Sequence, residues 1–107
     1  MAMVSFVDET TSGERHAAWH LEIFEETLPL REVIRRRVFQ EVAEHNAAGR
    51  GTPQDPAEQV VRALESFTRN GFVVLVGERQ IEDLDAIVDL RMGTEITFLK
   101  LVPLVGG

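Results

Sequence analysis

Phe72-Val73-Val74-Leu75-Val76, then Gly77-Glu78, then Arg79-Gln80-Ile81, is the stretch on which the fold turns. Five apolar residues run together, three of them valine. Side chains branched at Cβ are stiff and pack well on a pleated surface, so the run suits a strand. Gly77-Glu78 turns the chain, and Arg79–Ile81 is predicted as a short partner strand. Downstream, Glu82 to Leu90 is ambiguous, with Ile87, Val88 and Leu90 expected as a buried connection or a single helical turn. Gly93-Thr94 makes another turn. Glu95 to Leu101 is predicted as a last strand, with Ile96 and Phe98 on one face and Thr97, Leu99 and Leu101 on the other.

Upstream of the strand lie two helices. Pro29 suits a first helical turn, where a missing N–H costs nothing. Leu30, Ile34, Val38 and Val42 then recur every four residues with Val33 beside them, the apolar stripe of an amphipathic helix reaching about His45. Asn46 to Thr52 reads as a small-residue loop. Asp55 is an N-cap, Pro56 a first helical residue, and Glu58 the partner in a capping box. Ala57, Val60, Leu64 and Phe67 form the predicted face of this second helix, and Gly71 its stop. Further upstream, Met3–Val7 and Ala17–Phe24 read as two strands joined by a polar turn, with Trp19, Leu21 and Ile23 on one face and His20 and Glu22 on the other. The order is β-β-α-(α)-β-β-β, an α+β architecture.

Composition excludes several classes of function. The 107-residue chain is the size of one domain, and 44% apolar residues suffice for an ordinary core. Its net charge of -7 repels phosphate backbones, so a nucleic-acid partner is not expected. With no cysteine there is no disulfide, no thiol nucleophile and no cysteine-bound metal. No apolar run approaches the ~20 residues of a membrane span. Met1 to Asp8 lacks the basic start and apolar stretch of a signal peptide, which makes a cytoplasmic location the simplest reading.

The order of elements, together with Gly106-Gly107, resembles the ubiquitin-like β-grasp family. Residues 72–83, FVVLVGERQIED, look like the third strand, glycine turn and short fourth strand of ubiquitin itself. Residues 92–107, MGTEITFLKLVPLVGG, look more like the end of the sulfur carriers of molybdopterin and thiamine biosynthesis. The resemblance spans the chain except Ala47 to Asn70. It implies a β-grasp domain over residues 1–101, with an extra helix inserted at about 47–70 between the main helix and the third strand. Residues 102–107 would form a flexible tail. The helix beginning at Pro29 would lie across the concave face of the sheet. Two glycines at a chain end arise by chance in about one chain in two hundred.

The resemblance also implies a chemistry. A carboxylate is a poor acyl donor, so a partner activating enzyme joins the Gly107 carboxylate to AMP at the expense of ATP. Glycines without Cβ thread a narrow channel and adopt backbone angles closed to other residues. The chain is then a substrate and carrier rather than an enzyme. It binds no cofactor of its own, and Val102, Pro103, Leu104 and Val105 enter the partner's active site ahead of Gly106 and Gly107. In a modifier the acyl group passes to a cysteine of a conjugating enzyme and then to an amine, and a processing or deconjugating peptidase completes the system. In a sulfur carrier, Gly107 becomes a thiocarboxylate. A third alternative is a β-grasp interaction module in which the glycines are incidental.

Three features bear on the choice. Val102–Val105 is apolar and lacks the arginines that precede Gly-Gly in ubiquitin, which favours the carrier. Lys100 is the only lysine among ten arginines. It is one of two amines available for self-conjugation, and an arginine-rich genome accounts for the scarcity equally well. The body is large for a simple carrier, which favours a modifier of the bacterial ubiquitin-like group.

Other residues have a plain and a functional reading. Val74, Leu99 and Leu101 would make an exposed partner-binding patch, unless the helix at Asp55–Asn70 covers them. Arg35-Arg36-Arg37 reads as a solvated face or a dock for an acidic groove. His16, His20 and His45 lack metal-ligand spacing. Glu25-Glu26 and Glu82-Asp83-Asp85 read as helix-start and turn residues or contacts to a basic partner, and Trp19 as hairpin core.

Overall fold

The structure is a computed structural model that describes residues 2–49, 51–91 and 94–100, the side chains of residues 2 and 15–19 excepted. The predicted hairpin is β1 (Ala2–Thr10) and β2 (Arg15–Ile23), both longer than their apolar residues alone indicate. They pair antiparallel, with a register shift between Phe6 and Val7. β3 (Thr27–Pro29) leads into α1 (Leu30–Ala48), and α2 (Pro56–Thr68) follows. Then come β4 (Phe72–Val76), β5 (Arg79–Ile81), β6 (Ile87–Asp89) and β7 (Glu95–Lys100).

Five strands form one mixed sheet in the order β2-β1-β7-β4-β5. β7 lies in the middle, parallel to β1 from Ser5↔Glu95 to Thr10↔Lys100, and antiparallel to β4 from Phe72↔Lys100 to Val76↔Ile96. Both helices pack on one face. Val4, Phe6, Val74, Ile96 and Phe98 of the sheet share a core with Leu30, Val33 and Ile34 of α1 and Phe67 of α2. Phe72 and Phe98 stack with centroids 5.6 Å apart, and Phe67 meets Phe72 edge-on at 5.7 Å. Such aromatic contacts add to what area burial alone contributes.

β3 and β6 are absent from the sequence reading. They pair with each other, Thr27↔Asp89 to Pro29↔Ile87, as a separate two-stranded sheet. Residues 87–89, expected within a buried connection or a single helical turn, are therefore a strand. Of the three residues assigned to its buried part, Val88 and Leu90 are buried but Ile87 is 65% exposed. This connection also caps α1. The first N–H groups of a helix have no partner within it. Pro29 at the N-cap offers no side-chain bond. Instead Leu30 N–H donates to the Ala86 carbonyl and Arg31 N–H to the Leu84 carbonyl, each at 2.9 Å.

α1 runs past His45 to Ala48 and ends at Gly49, whose φ of 67° is left-handed. Asn46 donates to the Gln54 carbonyl and accepts from Gln54 N–H, which clamps the loop ahead of α2. Asp55 caps α2 as its sequence indicates, accepting from Ala57 N–H at 3.1 Å. Glu58 does not close a capping box but pairs with Arg62 at 2.9 Å. Ala57, assigned to the packing face, is exposed, whereas Phe67 is buried and Val60 and Leu64 are half-buried. Asp55→Ala is expected to cost about 1 kcal/mol, measured by urea unfolding. An effect below a few tenths would mean that the Asn46 clamp alone sets the start of α2.

The stop of α2 differs in detail. Asn70 takes the left-handed conformation, φ 60°. Gly71 N–H donates to the Ser66 carbonyl at 2.8 Å. A Cβ on Gly71 would come 2.2 Å from Ser66 Oγ, so glycine here serves close approach.

Candidate functional site

β7 fixes where the C-terminal segment is rooted. Its last residue, Lys100, lies beside Phe72 of β4 and Thr10 of β1. The chain thus leaves from the middle of a five-stranded sheet, not from an edge free to fray. Leu101, Val102, Pro103, Leu104, Val105, Gly106 and Gly107 lie outside the described residues, as does the Gly93 turn. Lys100 is exposed, so its amine is open to solvent.

The expected surface patch does not form as assigned. Val74 is 0% exposed and belongs to the core. Its partner in register is Phe98, on the helix-bearing face. Leu99 pairs with Val73 and points the other way, so Val74 and Leu99 cannot share a surface. Five apolar residues in a row give β4 no alternation from which to tell its faces, and only the register with β7 decides. The outward face carries Val73, Leu75 and Leu99, all half-buried, and no helix packs on it among the described residues. The helix at α2 lies on the opposite side. On the outward face Ser5 Oγ is 2.9 Å from His20 Nδ1. No carboxylate hydrogen-bonds His20 among the described residues, and the pair sits on an open sheet, so it lacks the third group that orients a catalytic base.

The helix-bearing face holds a groove of about 360 Å³ between α1 and α2. Its lining mixes the apolar Ile34, Val38, Phe72 and Phe98 with the charged Asp8, Arg37, Glu41, Arg62 and Lys100. A larger cavity, about 490 Å³, lies between the end of α2, β4, β5 and residues 82–85. It touches no residue of β7, and its lining includes the Arg31–Asp85 ion pair at 2.9 Å. The smaller groove is therefore the one tied to the root of the C-terminal segment.

The arginine run separates into three environments instead of one solvated face. Arg35 is exposed over Phe39, 4.6 Å from the ring centroid. Arg36 donates to Glu25 and Glu32. Its hydrogen bond holds the Glu25 carboxyl below its ordinary pKa. Arg37 is buried: Nη2 lies 2.6 Å from Asp8 Oδ1, Nε donates to Glu41 at 2.6 Å, and the guanidinium sits 4.2 Å from the Phe98 centroid. The Asp8 contact is a close ion contact without hydrogen-bond alignment. One signal was available: Arg37 follows Val33 by four residues, so it falls on the buried stripe. At the far end of the β3–β6 sheet, Arg91 donates to Asp89 through its guanidinium and its backbone N–H, holding that carboxyl at about 2. Carboxylates lowered in this way contribute above their unfolded pKa and cease to do so as pH falls through the folded value.

No family model matches the chain, and neither a curated protein nor a solved structure matches it. Among the described residues no group of three or more His, Asp or Glu could hold a metal ion. No helix among them is long and apolar enough to cross a membrane.

Proposed function

We propose that this chain is a ubiquitin-like protein modifier of β-grasp fold, conjugated through the Gly107 carboxylate. The observation that carries the reading is the central position of β7. A hairpin, a helix across one face, and returning strands that end in the middle of the sheet are what the resemblance calls for. A C-terminal segment rooted there is presented from a rigid body, which is what delivery into a partner's channel needs. α2 is then the helix added between the main helix and the third strand.

The chemistry runs in three balanced steps. The carboxylate attacks the α-phosphorus of ATP, giving acyl-AMP and releasing pyrophosphate. A cysteine thiolate of the partner displaces AMP to give a thioester. A target amine then displaces the thiol and forms an amide. All three steps use groups of the partner enzymes and target; this chain supplies the acyl group, as a substrate rather than an enzyme. Lys100, exposed at the end of β7, is the one side-chain amine on which copies of the chain could be joined.

Incubation with the activating and conjugating enzymes of its host and ATP is expected to give higher-mass, thiol-resistant adducts. Deleting Gly107 is expected to remove them. The same adduct pattern from wild type and deletion would defeat the reading. The apolar, arginine-free stretch Val102–Val105 supports a second reading, a sulfur carrier. Protein isolated from sulfur-replete cells would then carry the mass of one sulfur in place of one oxygen at Gly107.

A further inference from the structure

We propose that the cavity beside β4 and β5 is a strand-addition site for an extended, basic peptide segment of a partner protein. The backbone of β4 carries the argument. Gly77 N–H donates to the Glu95 carbonyl at 3.0 Å, which makes that opposed pair a bonded one. Bonded and non-bonded pairs alternate along an antiparallel ladder. Leu75 and Val73 therefore turn their N–H and C=O groups to β7, and Val76, Val74 and Phe72 turn theirs to the β5 side. β5 meets Val76 with Arg79 and Val74 with Ile81, and there it ends. Among the described residues, Phe72 has no backbone partner on that side. The reason lies in what the chain does next. The Leu84 and Ala86 carbonyls accept the first N–H groups of α1, so residues 82–86 leave the sheet before they can pair with Phe72. The cavity of about 490 Å³ opens beside this gap: Phe72, Val73, Ile81 and Glu82 all line it.

An unpaired peptide unit bordering a cavity is what main-chain recognition needs. An added strand donates to the Phe72 carbonyl and accepts from its N–H. Asn70 and Gln80, both exposed in the lining, add side-chain amides for a second peptide unit. Charge selects the strand that is added. The lining sets Glu82, Asp83 and Asp85 against one cation, Arg31. Asp85 is engaged by Arg31 at 2.9 Å. Asp83 uses one oxygen on the Asp85 N–H, at 2.8 Å. Glu82 forms no side-chain hydrogen bond or ion pair among the described residues. The cavity thus presents two carboxylates without a cation, which favours a basic segment and disfavours an acidic one. The inference is independent of Gly107, because the cavity touches no residue of β7 and the test uses no activating enzyme.

The experiment is an NMR titration of the isotope-labelled full chain with a short capped peptide alternating arginine and valine. Saturable shifts are expected at the Phe72 amide and over residues 80–83, while the amides of β1 stay unchanged. With peptide at about four times Kd, exchange of the Phe72 amide with solvent is expected to slow about fivefold. Glu82→Gln/Asp83→Asn removes both charges and keeps an oxygen for the Asp85 N–H, and is expected to weaken binding about fivefold. Two further peptides, N-methylated at the arginines or at the valines, block the two edges of the added strand in turn, and at least one is expected to lose binding. The proposal would be overturned by no shift at Phe72 with about 1 mM arginine peptide. Undiminished binding by the double variant, or binding retained by both N-methylated peptides, would also overturn it. So would shifts at Phe72 that appear on concentrating the chain without peptide, because the occupant would then be a second copy.

Discussion

Replacing Arg37 with alanine is expected to lower stability by about 3 kcal/mol, seen as a lower midpoint in urea unfolding with an unchanged slope. The Arg37 side chain is 6% exposed, and its guanidinium lies between two carboxylates and an aromatic face. Asp8 and Glu41 each stand 2.6 Å from its nitrogens. Breaking a buried ion pair from one side leaves the other charge without compensation, which costs more than the pair itself is worth. The lost side chain also leaves a void beside Phe98 and Phe6. The charge and packing parts separate experimentally. Arg37→Met keeps much of the stem but leaves Asp8 unpaired. Arg37→Met combined with Asp8→Leu removes both charges and is expected to return to within about 1 kcal/mol of wild type. Glu41, half exposed, tolerates the loss through water. If Arg37→Ala unfolded within about 1 kcal/mol of wild type, the cluster would be behaving as an exposed pair.

Arg37 also marks where the sequence can be read and where it cannot. α1, α2, β4, β5 and most of β7 follow from periodicity, β-branching and caps, because these signals are local. Arg37 sits on the same helical stripe as Val33, yet a run of three arginines reads as solvated when charge alone is weighed. Its burial depends on Asp8, which lies 29 positions earlier, and on Phe98, which lies 61 later. No local pattern encodes either contact. The same holds for Val74, whose facing is decided by its register with Phe98. β3 and β6 have three residues each and an exposed Ile87, too little alternation for a strand signal. Their meaning appears only when residues 84 and 86 are seen supplying the carbonyls that α1 lacks at its start. The candidate site divides the same way. The glycines and the single lysine are visible in sequence. The groove beside Lys100 is not, because it is formed by two helices and three strands that meet only in the fold.

Gly106→Val is expected to reduce activation by the partner enzyme about 100-fold while leaving the unfolding midpoint unchanged. Under the proposed function, the last residues must pass a channel too narrow for a branched side chain and adopt backbone angles that a Cβ forbids. A displacement of about 1 Å between carboxylate and α-phosphorus is worth about 100-fold in rate. Stability is expected to hold because the core is built from residues between Val4 and Phe98. Pyrophosphate exchange dependent on the chain measures this first step before any thiol is involved. Leu104→Ala, which keeps the glycines and trims one apolar contact, is expected to lose far less. Full exchange activity in Gly106→Val would mean that the channel admits a branched side chain at this position, whereas absence of chain-dependent exchange from the wild type would defeat the modifier and carrier readings together, since both begin with acyl-AMP. A loss at this step leaves both standing, and the acceptor then separates them: an amine yields a stable amide to a target, whereas sulfide yields a thiocarboxylate on an otherwise unmodified chain. Val102–Val105 bears on that division because an apolar approach selects the partner's channel, while the nucleophile waiting there belongs to the partner alone.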